Sequence, residues 1–391
     1  MTNELREILT RHVDSGKIPG LVALVSHDGE TRVEALGTMQ HDGGAPMARD
    51  TIFRMASTSK PVAMAAVMIL LDECRIRLDD TVDQWLPELA DRQVLAKPDG
   101  PLDETVPANR QITVRDLLTS TFGLGMDFDL LAAPIRAAVF AATDYSILSG
   151  PAPHPDEWMR RLGELPLSYQ PGERWQYDLS HEVLCVLVAR VTGKSFGTFL
   201  RERVLEPLGM KDTGHHVPAE KIHRLPTLYG PDAATGEFLV WDEAEGGRAS
   251  EPQEFEGCAM VSTVDDYHAF FRMLLNGGIH DGERILSRAA VELMTTNRLS
   301  PKVRAARAAM YDGIGGQGVP HGWGFGMGVR THRDGYAPAG QFGWDGGTGT
   351  SVYADPKHRL TGILLTQTGF STPDPLRLIA DFWTAAYRSV E

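Results

Sequence analysis

A serine stands three residues before a lysine at only one place in this 391-residue chain, Ser57-Thr58-Ser59-Lys60. The residues that follow, Met64 to Leu71, are rich in Ala, Met, Ile and Leu, as a buried helix would be. A helix starting near Ser57 would put residues i and i+3 on one face, making hydroxyl and amine neighbours. Serine is a poor nucleophile until a base takes its proton. A lysine is such a base only where burial or neighbouring charge lowers its pKa. The positive N-terminal end of a helix disfavours a second cation there, and its free N–H groups can bind an oxyanion. The spacing alone also suits a helix cap followed by a solvated lysine, so its meaning depends on partners elsewhere.

Two partners present themselves. Trp175-Gln176-Tyr177-Asp178-Leu179-Ser180 lies between the turn Gln170-Pro171-Gly172-Glu173 and an apolar helix. A tyrosine at such a junction can project its phenol into a cleft and relay the serine proton. Phe342-Gly343-Trp344-Asp345-Gly346-Gly347-Thr348 is dense in glycine where a strand begins, which suits backbone that approaches something closely. A backbone N–H there, with that of Ser57, would form an oxyanion hole. Gly193-Lys194-Ser195-Phe196-Gly197 offers a competing G-x-S-x-G, but that elbow needs a strand before it and an apolar helix stands there instead. Gly313-Ile314-Gly315-Gly316-Gln317-Gly318 likewise follows a helical stretch rather than a strand, which argues against a dinucleotide site. His181-Glu182 lacks a second histidine at metalloprotease spacing, because Cys185 stands there. His215-His216 is expected on a loop.

The elements that must position these groups follow from local pattern. Gly20 to Gly37 reads as a hairpin about Asp28-Gly29, residues 60–75 as the apolar helix, and Thr113 as the cap of another. Phe128 to Leu165 is helical in composition with a break at Gly150-Pro151-Ala152-Pro153; His181 to Val191, Phe196 to Leu205, Thr263 to Asn276 and Ala289 to Thr295 are further helices. Gly322–Val329, Gly349–Ala354 and Leu360–Thr368 read as strands, and Leu376–Tyr387 as a closing helix. The fold class expected is α/β (α+β), an antiparallel sheet flanked by helices with an inserted, mainly helical domain. Residues 1–85 and 217–391 would form the discontinuous α/β domain and 86–216 the helical one, with the site in the cleft between them. The net charge of −14 argues against a nucleic-acid backbone or an anionic membrane as partner. No apolar run is long enough to span a bilayer, and the N-terminus lacks the pattern of a secretory signal. Cys74, Cys185 and Cys258 are few and far apart, fitting reduced, packed thiols in a cytoplasmic protein.

Ser57-x-x-Lys60, then Tyr177, then Trp344-Asp345-Gly346-Gly347, in that order, resemble the serine β-lactamase and penicillin-binding-protein superfamily. Its class C-like branch, with the family VIII carboxylesterases, is the nearest match. Glu206-Pro207-Leu208-Gly209-Met210-Lys211-Asp212-Thr213, Ile112 to Thr119, Val261 to Tyr267 and Gly322 to Gly326 resemble further family phrases, so the likeness spans nearly the whole chain. It implies a β-lactamase/transpeptidase-like fold, Ser57 as the acylated nucleophile and Lys60 and Tyr177 sharing the proton transfer. It also implies an oxyanion hole from the Ser57 and Gly347 N–H groups, and a cycle that needs neither metal nor cofactor. Trp175, Asp178 and Leu179 beside the tyrosine, and Trp344, Asp345 and Gly346 on the third motif, are the expected substrate-binding residues. The departures select among substrates. Leu179 replaces the asparagine of Tyr-x-Asn, and Trp344-Asp345-Gly346 replaces Lys-Thr-Gly, removing the cation that would meet a β-lactam or peptide carboxylate. Asp345 would repel that carboxylate and Trp344 would supply an apolar wall. The resemblance therefore implies a serine esterase for small, largely apolar esters. The alternatives are amide chemistry (a β-lactamase, D-amino-acid peptidase or amidase), acyl transfer to an alcohol, and an inactive binding relative. The segments 128–160 and 240–258 are expected to cover the cleft.

Overall fold

A computed structural model of the chain describes residues 4–143, 153–232, 234–235, 237–313, 318–370 and 373–390. Alternating apolar residues at both ends of the sequence build one antiparallel eight-stranded sheet. Its strands are β1 (Gly20–His27), β2 (Glu30–Gln40), β3 (Gly43–Pro46), β4 (Gly322–Trp323), β5 (Gly328–Val329), β6 (Phe342–Gly346), β7 (Thr350–Asp355) and β8 (Leu360–Thr366), in the order β4-β5-β6-β7-β8-β1-β2-β3. The central pair β1 and β8 is apolar on both faces, as a sheet covered on both sides requires. Leu21, Ala23 and Val25 of β1 pack with Leu360 and Leu364 against the terminal helices α1 (Glu4–Asp14) and α6 (Pro373–Arg388). Val22 and Leu24, with Ile363 and Leu365, turn to the opposite face and join the main core. The period of two is what lets one strand serve two cores.

The main core is organised around α2 (Lys60–Asp72), in which every residue from Lys60 to Leu70 is buried. Ala, Met, Val, Leu and Ile all round its circumference leave it no face for solvent, and Pro61 suits its first turn. Against it lies α3 (Leu179–Thr192), whose C-terminus is closed by Gly193 in the left-handed conformation (φ 70°). Thr113 caps the helix Val114–Leu118 in a capping box with Asp116, and Thr263 caps α4 (Val264–Leu275).

Several expectations shift. Gly322–Val329 is not one strand but the two short strands β4 and β5, reversed through Gly324 to Met327. The helix expected from Phe196 to Leu205 changes to a π-turn at Arg201. The break at 150–152 and residues 314–317 of the glycine-rich decoy lie outside the described residues; a helix, α5 (Pro301–Gly313), precedes the latter. No single helix among the described residues is long and apolar enough to cross a membrane.

Candidate active site

Ser57 does not open the α-helix; it sits in the 3₁₀ turn Ala56–Ser59 that leads into it. In such a turn side chains at i and i+3 eclipse, so the Ser-x-x-Lys spacing is brought closer than an α-helix would bring it. Lys60 Nζ donates to Ser57 Oγ at 2.9 Å. The turn is held from outside: Met55 N donates to Met260 O (2.8 Å), Thr350 Oγ1 to Met55 O (3.0 Å) and Thr348 Oγ1 to Arg54 O (2.5 Å). Ala56 takes a positive φ of 45°, a strained value for a residue with a Cβ, directly before the nucleophile. The β6–β7 hairpin is thus fastened to the nucleophile turn.

Gly346 is the point of closest approach. A Cβ there would lie 2.5 Å from Met55 O, 2.3 Å from Thr350 Oγ1 and 3.4 Å from Ser57 N. Gly346→Ala must therefore move the nucleophile turn. It is expected to lower turnover by about 10²-fold, the effect of an ångström-scale misplacement. Steady-state kinetics beside a thermal melt check this; an unchanged rate would show that the hairpin does not position Ser57.

Tyr177 is gripped by reciprocal backbone hydrogen bonds with Met126, both 2.8 Å. The next residue, Asp178, has φ 90° and ψ −67°, and Leu179 N donates to Tyr177 O across it (3.3 Å). That is a γ-turn of the rare positive-φ kind, strained at a non-glycine residue. The turn brings the Asp178 carboxylate within 2.5 Å of Lys60 Nζ, with both side chains buried. Burial is the largest single influence and pushes the lysine down, but Asp178, Tyr177 and Cys258 together more than offset it and hold Lys60 above its ordinary value. These surroundings favour the ammonium form of Lys60, whereas a lysine acting as the base needs its pKa lowered. Its charge also lies 4.9 Å from the centre of the Tyr177 ring.

Trp344 takes a different part from the apolar wall expected of it. Its Nε1 donates to Tyr177 Oη at 2.7 Å, and its indole joins a buried cluster with Trp175, Trp323 and Tyr311. Arg307 of α5 stands inside this cluster, 4.4 Å from the Trp175 ring centre and 5.6 Å from that of Trp344. Asp345, the next residue of the strand, accepts from Tyr353 Oη (2.7 Å) and therefore answers to a strand neighbour.

Ser57 opens on a cavity of about 420 Å³. Among the described residues its lining includes Lys60, Asp178 and Gly347, together with Met126, Trp158, Phe255 and Met260 and the polar Arg54, Glu182 and His215. Trp175, Leu179, Trp344, Asp345 and Gly346 are not in that lining. Leu179 and Tyr177 instead face a small apolar pocket with Leu130, Ile135 and Val139, which shares Met126 and Asp178 with the main cavity. Both segments expected over the cleft contribute: Thr143 and Trp158 from one, Asp242, Arg248 and Phe255 from the other. Trp158 and Phe255 meet edge to face at 5.2 Å, joining the two segments. His215, expected on a loop, faces the cavity and bonds Gly257 O through Nε2 (2.9 Å). The competitor Ser195 caps the helix Phe196–Leu200, accepting from Thr198 N, and is exposed between two helices.

Comparisons with known proteins bear on the family and the fold. The family model described as beta-lactamase matches residues 5–382. The chain belongs to the beta-lactamase family. The esterase EstB of Burkholderia gladioli is 30% identical over 375 residues, 90% of this chain and 87% of that protein. An uncharacterised protein of Mycobacterium tuberculosis is 37% identical over 367 residues, again 90% and 87%. The solved structure of EstCE1, described as a hydrolase with promiscuous acyltransferase activity, superposes with a TM-score of 0.77 at 25% identity, covering 97% of this chain and 98% of that one. This beta-lactamase-family chain is therefore a member of the serine hydrolase superfamily with esterase and acyltransferase relatives. Its fold is the mixed β-lactamase/transpeptidase type that the three motifs implied.

Proposed function

We propose that the protein hydrolyses small carboxylic esters through an acyl-enzyme on Ser57. The observation that carries this reading is the Lys60 Nζ–Ser57 Oγ contact of 2.9 Å, at the wall of a cavity of ligand size. Lys60, kept charged by Asp178, donates into Oγ and stabilises negative charge there as the serine proton leaves. Tyr177 relays that proton: its oxygen accepts the serine proton as its own phenolic proton passes on towards the leaving group, and the Trp344 N–H holds that oxygen in place. Oγ then bonds the ester carbonyl carbon, and the tetrahedral oxyanion lies between the N–H groups of Ser57 and Gly347. The proton passes from Tyr177 to the departing alkoxide. Water enters by the same route in reverse and frees the acid.

The preference for esters over β-lactams rests on Trp344. In its relatives with Lys-Thr-Gly the position carries a cation for the substrate carboxylate; here an indole occupies it and spends its one donor on Tyr177. Trp158, Phe255, Met126 and Met260 make the remaining wall apolar enough for a short or compact acyl group. A series of p-nitrophenyl esters beside a chromogenic cephalosporin tests this. Ester turnover should exceed cephalosporin turnover throughout the short-chain range; cephalosporin rates that match or surpass it would overturn the reading.

A further inference from the structure

Three donor groups at and just behind the cavity wall take no part in that chemistry. Glu182 and Cys185 are three apart on α3 and so share a face, and Cys258 comes to them from the loop before Val261. The two sulfurs lie 3.5 Å apart, and the three donor atoms all fall within 4.8 Å of one another. Cys258 N donates to Glu182 Oε2 (2.9 Å), fixing the carboxylate beside the thiols. Gly257 leaves room for it, since a Cβ there would stand 2.0 Å from that oxygen. His181, the other half of the motif set aside for lack of a second histidine, turns away with its ring edge-on to Trp323. Glu182 and Cys258 face the cavity that Ser57 opens on, while Cys185 does not.

We infer that Glu182, Cys185 and Cys258 form a binding site for a soft divalent cation, zinc or cadmium, whose occupancy inhibits the enzyme. Two sulfurs 3.5 Å apart subtend about 100° at an ion about 2.3 Å from each, close to the tetrahedral angle. Two thiolates and one carboxylate favour such ions over calcium or magnesium. Because Glu182 and Cys258 face the cavity that Ser57 also lines, the fourth position, held by a water molecule, opens into that shared space and narrows it for an acyl group. Binding exchanges protons for metal: each thiol releases one proton to solvent as its sulfur bonds the ion, with no change of oxidation state. Burial pushes both thiols above their ordinary values, so without metal they stay protonated and are poor targets for oxidation or alkylation. The site itself stands independently of the esterase reading; only its inhibitory consequence rests on it.

The test uses the full chain carrying Cys74→Ser, which removes the exposed thiol, kept reduced by a phosphine. Titration with cobalt(II) should produce one equivalent of thiolate-to-cobalt charge-transfer absorption, displaced by zinc. Cys185→Ser, Cys258→Ser and Glu182→Gln should each weaken binding by about 10–100-fold or more. Zinc should suppress ester turnover and a chelator restore it. Cys185→Ser should keep its turnover and lose the sensitivity. Absence of the charge-transfer band, or a band unaltered by both cysteine variants, overturns the site. A normal band with zinc-insensitive turnover overturns the inhibitory role. A protein that shows the band but turns over no ester contradicts the proposed function and leaves the metal site standing.

Discussion

Replacing Ser57 by alanine is expected to abolish ester turnover, by on the order of 10⁶-fold, and to leave the fold intact. The side chain removed is one hydroxyl whose partner is Lys60 at 2.9 Å, and that ammonium keeps Asp178 at 2.5 Å in the variant. Nothing that fastens the turn runs through Oγ: Met55, Thr348 and Thr350 hold it through other atoms. The melting temperature should therefore stay near that of the wild type while a fluorophosphonate label disappears. Ser195→Ala is the control with the opposite signature. Its hydroxyl caps Phe196–Leu200, so its loss should cost about 1 kcal/mol of stability and leave both label and rate unchanged. Labelling that survives Ser57→Ala, or is lost only in Ser195→Ala, would sink the assignment of the nucleophile.

What the sequence made legible is local. Ser57 and Lys60 are three residues apart, so any helical turn makes them neighbours, and the glycines around Trp344 announced a close backbone approach that Gly346 makes. The first hairpin, the strands near the C-terminus and the helix capped by Thr113 followed from periods of two and 3.6, while the edge strand Gly43–Pro46 and the reversal within Gly322–Val329 did not. Less legible were contacts whose cause is long-range or conformational. Asp178 was readable as a residue beside the tyrosine, but its pairing with Lys60 depends on a γ-turn at φ 90°, which no residue pattern announces for an aspartate. Trp344 was read by its apolar bulk, and its single N–H decided its place instead, because a buried donor needs a partner and Tyr177 Oη supplies one. Cys185 and Cys258, far apart in the chain, looked like isolated thiols and meet at 3.5 Å; Cys74, grouped with them as packed, is exposed. The signal that was available was the loop 240–258, already expected over the cleft, which carries Cys258 to the cavity.

Breaking the Lys60–Asp178 pair should be the second most damaging change, and it decides which form of the lysine works. Asp178→Asn removes the charge that keeps Lys60 an ammonium and leaves a buried cation facing a neutral amide. Loss of one partner of a buried pair costs about 3–5 kcal/mol. Turnover should fall by about 10²–10⁴-fold, the range of a lost proton-transfer group. The pH dependence separates the two roles. In the wild type the lysine is held above its ordinary value, so the stability that the pair contributes is fully present below about pH 10.4, the value of an unfolded lysine, and is lost only as pH rises through the higher folded one. Acidification through neutrality therefore leaves this contribution in place, and the wild type should show no alkaline loss of rate from Lys60 in the ordinary working range. With Asp178 neutral, burial, already the largest single influence, loses its main opponent and acts downward, so the ammonium loses its proton at lower pH. An alkaline decline should then move into the measurable range, and Asp178→Glu, which restores the charge at some cost in geometry, should move it back. If Asp178→Asn is instead faster than the wild type at mildly alkaline pH, neutral Lys60 is the base and Tyr177 is not. Tyr177→Phe then distinguishes the two on its own, since it should match the loss in Lys60→Ala only where both groups act on the same proton, with the double variant little worse than either.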